Sequence, residues 1–176
     1  LSLSMSTGSI RQLTEGPNDR APLASPDGVT VGFLRPDAKE QSQIWLIHLD
    51  SEEIQQITDI PGGVLEFTWA PDSKSIAFIS VQKEEWDRFE NEKELPKVRI
   101  ANRIRYRGDT VGWIGDTHRH LFSISIETKS INQLTFGDGD EMGPVYSPDG
   151  SQIAYISDNR ADRDITPYAD AYVIRS

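Results

Sequence analysis

One alternation of polar turn residues and short apolar runs occurs three times along the chain. Each copy opens on a Pro-Asp turn followed by Gly or Ser, and each then runs through apolar positions in which a small residue directly precedes an aromatic one. The copies begin at Ser25, Ala70 and Ser147. Proline pre-sets φ at the first corner of such a turn, aspartate bonds its own backbone, and glycine tolerates positive φ. The pattern therefore predicts three buried strands whose small and large residues interlock with a neighbouring layer.

Two further sequence motifs recur at nearly constant distances from the three Pro-Asp turns. A Gln-Leu-Thr or Gln-Ile-Thr triplet precedes each turn by 13 or 14 residues, with its glutamine at Gln12, Gln56 and Gln133. A second apolar run recurs as residues 44–50 and 121–127, with residues 171–174 as its third copy. One unit is thus four short strands in about 45 residues, which is the period of propeller blades.

These repeats predict an all-β fold, a partial β-propeller of about three four-stranded blades with one insertion in blade two. Blade one covers residues 21–58, blade two covers 64–135 with the insertion at 81–116, and an incomplete blade three covers 142–176. Closed propellers typically have four to eight blades. We therefore expect an arc of a larger protein, or a chain that self-associates through open blade edges.

Composition narrows the classes of function. The formal net charge is −10, with 28 acidic against 18 basic residues. A nucleic-acid binder carries a basic excess or stripe, so we predict no nucleic acid and no anionic membrane surface as partner. The chain has no cysteine, which removes disulfide and thiol chemistry and fits a reducing cytoplasm. No apolar run reaches the length of a membrane span.

Catalytic and metal-binding motifs are sparse. The sequence has no Gly-x-Ser-x-Gly, no His-Glu-x-x-His and no phosphate-binding Gly-x-x-x-x-Gly-Lys. Of its three histidines, His48 is interpreted as a packed strand residue. His118 and His120 lie two apart and could form half a metal site, but a hydrated loop is the favoured interpretation. Residues 138–141 could supply oxygen ligands to calcium, but the other units have ordinary inter-blade turns there. We predict no catalytic residue, no metal site and no cofactor.

The insertion is the one segment that the repeat does not explain. Its arginines are concentrated in an otherwise acidic chain, namely Arg99, Arg103, Arg105 and Arg107. Because arginine recognises carboxylates in a forked geometry, one interpretation is a docking surface or the wall of a substrate channel. The other is a set of ion pairs to the acidic stretch at residues 84–94.

The order of these motifs resembles a known family. The triplet at Gln133 followed by the block at residues 147–157 resembles the propeller repeats of the TolB type, which also form the N-terminal domain of prolyl oligopeptidase-family serine peptidases. The insertion at residues 96–113, followed by residues 118–122, is similar to the corresponding stretch of acylaminoacyl-peptidases. In that family the propeller caps a C-terminal α/β-hydrolase domain, admits short or unfolded peptides and excludes folded proteins.

The resemblance implies a function without catalytic residues in this sequence. The family's Ser-Asp-His triad and oxyanion hole lie in the hydrolase domain, which this chain lacks, so no catalytic residue carries over. We expect the substrate-gating propeller portion of a serine exopeptidase or oligopeptidase, inactive by itself, with the hydrolase domain and peptide substrates as partners. The alternative is a non-catalytic TolB-like protein-binding scaffold. A propeller-fold polysaccharide lyase is disfavoured because histidines for a metal centre are scarce.

Overall fold

The secondary structure consists of short strands. A computed structural model describes residues 2–3, 8–16, 18–82, 104, 106–108, 112–113, 117–166 and 168–176, and these ranges contain no helix. The strands are β1 (Ser2–Leu3), β2 (Ile10–Arg11), β3 (Arg20–Ala24), β4 (Thr30–Pro36), β5 (Ser42–His48), β6 (Ile54–Gln56), β7 (Val64–Trp69), β8 (Ser75–Gln82), β9 (Arg107–Gly108), β10 (Gly112–Trp113), β11 (His118–Ser125), β12 (Ile131–Gln133), β13 (Met142–Tyr146), β14 (Gln152–Ser157) and β15 (Asp170–Arg175). The predicted all-β class is confirmed.

Three antiparallel sheets carry the repeat. Their strand orders are β3-β4-β5-β6, β7-β8-β11-β12 and β13-β14-β15, and we call them blades one, two and three. The short pairs β1-β2 and β9-β10 lie outside them. The inserted stretch leaves blade two after Gln82 and returns at His118, and these two residues are register partners at one end of the sheet. The predicted partial propeller is confirmed. Most of residues 83–116, including the acidic stretch, lies outside the described residues.

Each Pro-Asp turn closes in the same way. The residue after the aspartate donates its backbone N–H to the carbonyl three residues back, at 2.9 Å for Gly28, 3.0 Å for Ser73 and 2.9 Å for Gly150. These three residues have φ of 74°, 60° and 74°. Such left-handed backbone favours glycine, which is why two of the three copies read Pro-Asp-Gly.

The Gln-x-Thr triplets close the outer strands. The side-chain amides of Gln12, Gln56 and Gln133 each donate to the carbonyl of the threonine two residues on, at 2.9, 2.7 and 2.8 Å. In blades one and two the threonine hydroxyl accepts the backbone N–H at the start of the adjacent strand, at 2.8 Å in both. The side chains of the triplet therefore provide hydrogen-bond partners for backbone N–H and C=O groups beyond the last backbone pair of the sheet. Buried backbone groups need such partners.

The small residue of the first two repeats, Gly32 or Ala77, faces the next blade. A Cβ added to Gly32 would lie 2.9 Å from a ring atom of Phe67 in blade two. The aromatic that follows Ala77 faces the preceding blade: Phe78 stacks on Phe122 with ring centroids 5.4 Å apart, and both belong to the buried cluster that contains Leu34 of blade one. Small and large residues therefore interlock between layers as the sequence predicts.

The core lies between the blades. One buried cluster joins blades one and two and contains Leu34, Ile44, Leu46, Ile57, Val64, Trp69, Ile76, Phe78, Phe122 and Ile124. A smaller cluster joins blades two and three and contains Ala77, Ile79, Leu121 and Ile153. Because apolar burial drives folding, each blade depends on its neighbour for stability.

Candidate functional site

A buried polar cluster lies where the loop between blades two and three crosses the sheet ends. His120 Nδ1 lies 2.8 Å from Glu141 Oε2, and the Thr135 hydroxyl donates to the same oxygen at 2.9 Å. The Ser157 hydroxyl lies 3.2 Å from the other oxygen, Oε1. The side chains of His120 and Glu141 are only 6% and 2% exposed. These four residues form one connected network, which we call the Glu141 network.

The fold brings these side chains together from four separate elements. His120 lies near the start of β11, Thr135 follows β12, Glu141 directly precedes β13, and Ser157 ends β14. The loop is held in place by its backbone as well, since the N–H of Glu141 donates to the carbonyl of Arg119 at 2.9 Å. The network therefore joins blade two, the inter-blade loop and blade three.

The chemistry of the carboxylate fixes the direction of these hydrogen bonds. With Glu141 ionised, its carboxylate accepts and does not donate, and His120 Nδ1 is then the donor across the 2.8 Å contact. The Thr135 hydroxyl accepts the backbone N–H of Leu121 at 2.8 Å and sends its own proton to Glu141. A buried carboxylate requires such partners, because leaving it unpaired away from water costs several kcal/mol.

A serine, a histidine and an acid in one network invite comparison with a nucleophilic triad. In a triad the imidazole stands between the hydroxyl and the carboxylate, so that it can take the nucleophile's proton. Here Glu141 stands between Ser157 and His120, and the Ser157 side chain is fully buried. The arrangement does not activate Ser157 for attack on a substrate; it tethers the loop.

Blade one makes the same tether with a neutral side chain. Gln43 occupies the position of His120, one residue before the strand N–H that the triplet threonine accepts. Its Oε1 accepts from Thr58 Oγ1 at 2.9 Å and from the N–H of Ile60 at 3.2 Å, while its amide donates to the carbonyl of Ile60 at 3.0 Å. Both junctions bury a polar acceptor for the threonine hydroxyl, but that acceptor is neutral Gln43 of the strand at the first junction and Glu141 of the loop at the second.

The structure corrects the sequence interpretation of the two neighbouring histidines. His118 and His120 do not lie in a hydrated loop: they begin β11, are only 8% and 4% exposed, and their ring centroids lie 6.2 Å apart. Within the ranges that the structure describes, no three His, Asp or Glu side chains are arranged to hold a metal ion.

Glu141 is a residue whose importance the sequence analysis missed. The sequence predicts an ordinary inter-blade turn at 138–141, and Asp138 and Asp140 are less buried than Glu141. Glu141, the last residue of that turn, is paired with a side chain 21 positions away. The available signal is an acid placed directly before an inner strand, which blade one repeats with Asp19, whose side chain is 15% exposed and paired with Arg35.

The predicted arginine surface falls largely outside the described residues. Arg99, Arg103 and Arg105 lie outside them. Arg107 is exposed in the short strand β9, in register with Trp113 of β10. The docking interpretation of these arginines stays a prediction.

A second set of polar contacts orders the loop of blade three. The Arg160 guanidinium donates to both carboxylate oxygens of Asp158, at 3.0 and 2.9 Å, and to the carbonyls of Thr166 and Tyr168 at 3.1 and 2.6 Å. The hydrogen bond from Arg160 lowers the pKa of Asp158. Arg163 adds an ion pair to Asp138, with 3.1 Å between nitrogen and oxygen. The loop at 158–166 is therefore tied to the inter-blade loop at the end of the sheets from which the insertion leaves.

Similarity to known proteins extends over most of the chain. No protein-family model matches it. An uncharacterized peptidase, YuxL of Bacillus subtilis, is 26% identical over 156 residues, which are 87% of this chain and 24% of the relative. The Tol-Pal system protein TolB of Nitratidesulfovibrio vulgaris is 29% identical over 146 residues, 73% of this chain and 31% of that protein. Among solved structures, the acylaminoacyl peptidase of Pyrococcus horikoshii matches with a TM-score of 0.70 and 17% identity, over 99% of this chain and 26% of that one.

These likenesses confirm the TolB-like propeller fold that the repeats resemble. The chain spans between about a quarter and a half of the length of the curated relatives it matches. At 17% identity the peptidase structure is evidence of fold alone. Nothing in the described ranges forms a helix with the length and hydropathy that crossing a bilayer requires.

Proposed function

We propose that this chain is the propeller portion of a serine peptidase resembling acylaminoacyl-peptidase, that it controls peptide access to a hydrolase domain, and that it does not cleave peptides itself. The observation that carries the proposal is the sequence likeness to a peptidase, and the likeness of fold to an acylaminoacyl peptidase agrees with it. A peptidase is the relative matched over 87% of the chain, and an acylaminoacyl peptidase is the structure matched over 99% of it.

The arrangement of loops supports a gating role. The residues where the insertion leaves and rejoins blade two, Gln82 and His118, lie at one end of the sheets, as do the inter-blade loop at 134–141 and the loop at 158–166. Two of these segments are anchored by buried or multiply bonded polar groups, the Glu141 network and Arg160. In this proposal, loops that are fixed in this way select substrates by size, because they do not move apart to admit a folded protein.

We infer that the partner at this end is a hydrolase domain and that the ligand is a peptide. Arg107, with Arg99, Arg103 and Arg105, supplies positive charge in an acidic chain and suits carboxylates on either one. The absence of cysteine is compatible with a cytoplasmic location, which is also part of the proposal.

The test is an activity measurement on the purified 176-residue chain. We expect no hydrolysis of an N-acetyl-alanyl p-nitroanilide above the buffer rate and no covalent labelling by a fluorophosphonate probe, because a working nucleophile needs its base and oxyanion donors beside it. The Ser157→Ala variant is the control that shows whether any hydrolysis or labelling depends on Ser157. Labelling of the wild type that disappears in this variant would contradict the non-catalytic proposal.

A second candidate is a non-catalytic scaffold that binds a protein partner, and the 29% identity to TolB favours it. The coding sequence that follows Ser176 distinguishes the two. A strand pattern leading into Gly-x-Ser-x-Gly selects the peptidase. A stop codon after a few more repeats selects the scaffold.

A further inference from the structure

Three large apolar side chains are exposed on two loops that meet at the end of blades two and three. Phe136 of the inter-blade loop is 73% exposed, and Ile165 and Tyr168 of the blade-three loop are 72% and 63% exposed. The loops are joined by an ion pair between Asp138, two residues after Phe136, and Arg163, two residues before Ile165. Isolated exposed apolar side chains are ordinary, but a group of them on adjoining loops marks an interaction site.

Polar contacts hold both loops in place. Arg160 makes its four hydrogen bonds within the blade-three loop, and its guanidinium lies 5.0 Å from the centroid of the Tyr168 ring. The inter-blade loop is fixed by the Glu141 network, and Gly139 within it lies so close to the side chain of Asn159 that there is no room for a Cβ. The apolar side chains are thus presented at fixed positions.

The blade-three loop and the strand that follows it carry an excess of negative charge. Arg160 and Arg163 each pair with one aspartate of these loops, whereas Asp162 and Asp170 are exposed and have no ion-pair partner in the part of the chain that the structure describes. The hydrogen bond to Asp158 raises the pKa of Arg160 most, and the charges of Asp162 and Asp170 raise it further. Both carboxylates therefore lie near that guanidinium and the Tyr168 ring.

Together these side chains form one surface that is both apolar and acidic. We call it the loop patch, and its members are Phe136, Asp162, Ile165, Tyr168 and Asp170.

Charge determines which occupant suits the loop patch. The chain has a formal net charge of −10, so a second copy brings like charge to an acidic surface, and nucleic-acid phosphates and anionic lipid headgroups are repelled in the same way. A bare cation pairs with the carboxylates but leaves the apolar side chains in water. A polypeptide segment in which arginine or lysine alternates with apolar residues satisfies both parts of the surface.

We propose that the loop patch binds an extended polypeptide segment of this basic and apolar kind. Its cations pair with Asp162 and Asp170, and its apolar side chains cover Phe136, Ile165 and Tyr168. The proposal goes beyond the access role by specifying the charge and apolar character of the ligand. It does not depend on a hydrolase domain, because binding alone is measured, so either proposal can fail while the other holds.

The test is fluorescence anisotropy of a fluorescein-labelled peptide of alternating arginine and isoleucine, titrated with the purified 176-residue chain. We expect saturable binding in about 50 mM NaCl that weakens in about 300 mM NaCl, because salt screens exposed charges. Two control peptides separate the contributions. One has glutamate in place of every arginine and the other has serine in place of every isoleucine, and both should bind more weakly.

Matched variants locate the peptide on the surface. Phe136→Ser should raise Kd at least about tenfold, because the variant removes a large apolar side chain that the peptide covers. Asp162→Asn should raise Kd about two- to fivefold and reduce its dependence on salt. Ile131→Ser and Glu127→Gln, which change exposed apolar and acidic positions elsewhere on blade two, should leave Kd unchanged.

Several results would overturn the proposal. One is the absence of saturable binding, and another is equal binding of the glutamate peptide. Unchanged affinity in both Phe136→Ser and Asp162→Asn would mean that the peptide binds elsewhere. A dimer in sedimentation that Phe136→Ser dissociates would mean that a second copy covers the patch.

The chain's own arginines are the remaining alternative occupant. They are tested by a combined variant, and a clear rise in peptide affinity in it would mean that these arginines cover the patch and that the proposal of a separate partner is wrong. The combined changes are Arg99→Ser, Arg103→Ser, Arg105→Ser and Arg107→Ser.

Discussion

The turn aspartates illustrate how one side chain sets the conformation of a whole hairpin. Asp149 accepts hydrogen bonds from the Ser147 hydroxyl at 2.6 Å and from the Ser151 N–H at 3.0 Å. These bonds lower the pKa of Asp149 to about 2, and the bond from the Ser147 hydroxyl contributes most. Asp27 has the corresponding bond from the Ser25 hydroxyl, which lowers the pKa of Asp27. Blade two has Ala70 in place of the serine and lacks this bond.

The shift at Asp149 predicts a pH dependence of stability. Because the folded-state pKa lies below the ordinary value, the ionised form stabilises the native state above about pH 4, and this contribution is lost as pH falls toward about 2. Asp149→Asn should therefore lower the urea midpoint at pH 5, and the difference from wild type should close by pH 2. Urea unfolding at several pH values measures this.

Ser147→Ala is the companion variant for that experiment. It removes the hydroxyl that lowers the pKa of Asp149 most, so its stability should depend less on pH in acid than that of the wild type. Parallel urea midpoints for wild type and Asp149→Asn from pH 5 to pH 2 would contradict the assignment.

At the next scale, the alternation of a small and a large residue turns each central strand into an interlocking surface. Ala77 is 0% exposed between blades two and three, and Phe78 on the opposite side of the strand is equally buried. Close packing of this kind leaves no room for an added methylene without strain. The same sequence pattern in β14 leaves Ala154 exposed. The equivalent position is therefore buried in blade two and exposed in blade three.

This difference predicts unequal effects of one substitution. Ala77→Val should lower the free energy of unfolding by about 1–3 kcal/mol, because the larger side chain must displace packed neighbours. Ala154→Val in the equivalent position should change it by less than about 0.5 kcal/mol. Urea unfolding of the two variants provides the comparison, and equal losses would mean that the exposed assignment of Ala154 is wrong.

For the molecule as a whole, stability at the second junction depends on a polar network as much as on apolar packing. The buried cluster between blades two and three is smaller than that between blades one and two. The Glu141 network links the same two blades, and Gly143 of blade three adds a backbone N–H donated to Glu66 at 2.7 Å. The two junctions are thus held by different balances of apolar and polar contacts.

Glu141→Gln tests this balance. The variant replaces one carboxylate oxygen by an NH2 group, which faces the hydrogen-bond donors that the carboxylate accepts from. We therefore expect a loss of about 2–4 kcal/mol in the free energy of unfolding. Glu127→Gln, at an exposed site, is the control and should change it by less than about 0.5 kcal/mol. Urea unfolding measures both variants.

A double-mutant cycle with His120→Gln separates the pair from general disruption. Residues in direct contact show coupling energies of about 0.5–3 kcal/mol. A coupling near zero between positions 120 and 141 would mean that the hydrogen bond of 2.8 Å contributes nothing specific.

Local chemistry explains why the repeat could be predicted from the sequence alone. A Pro-Asp turn, an alternating apolar run and a Gln-x-Thr triplet each depend on residues a few positions apart, and the backbone preferences that they encode hold wherever the strand packs. The all-β class, the partial propeller and the interlocking of small with aromatic residues followed from those neighbours.

Only the tertiary structure decided which of these equivalent positions are buried. His118 and His120 are buried, although their sequence resembles a polar loop, because β11 pairs with β8 from its first residue. Glu141 finds His120 only because β11, β12 and the inter-blade loop return it to the end of the same sheet. Ala77 and Ala154 carry the same local signal and differ in exposure because burial depends on the sheet that lies beside a strand, a relation that no short stretch of sequence contains.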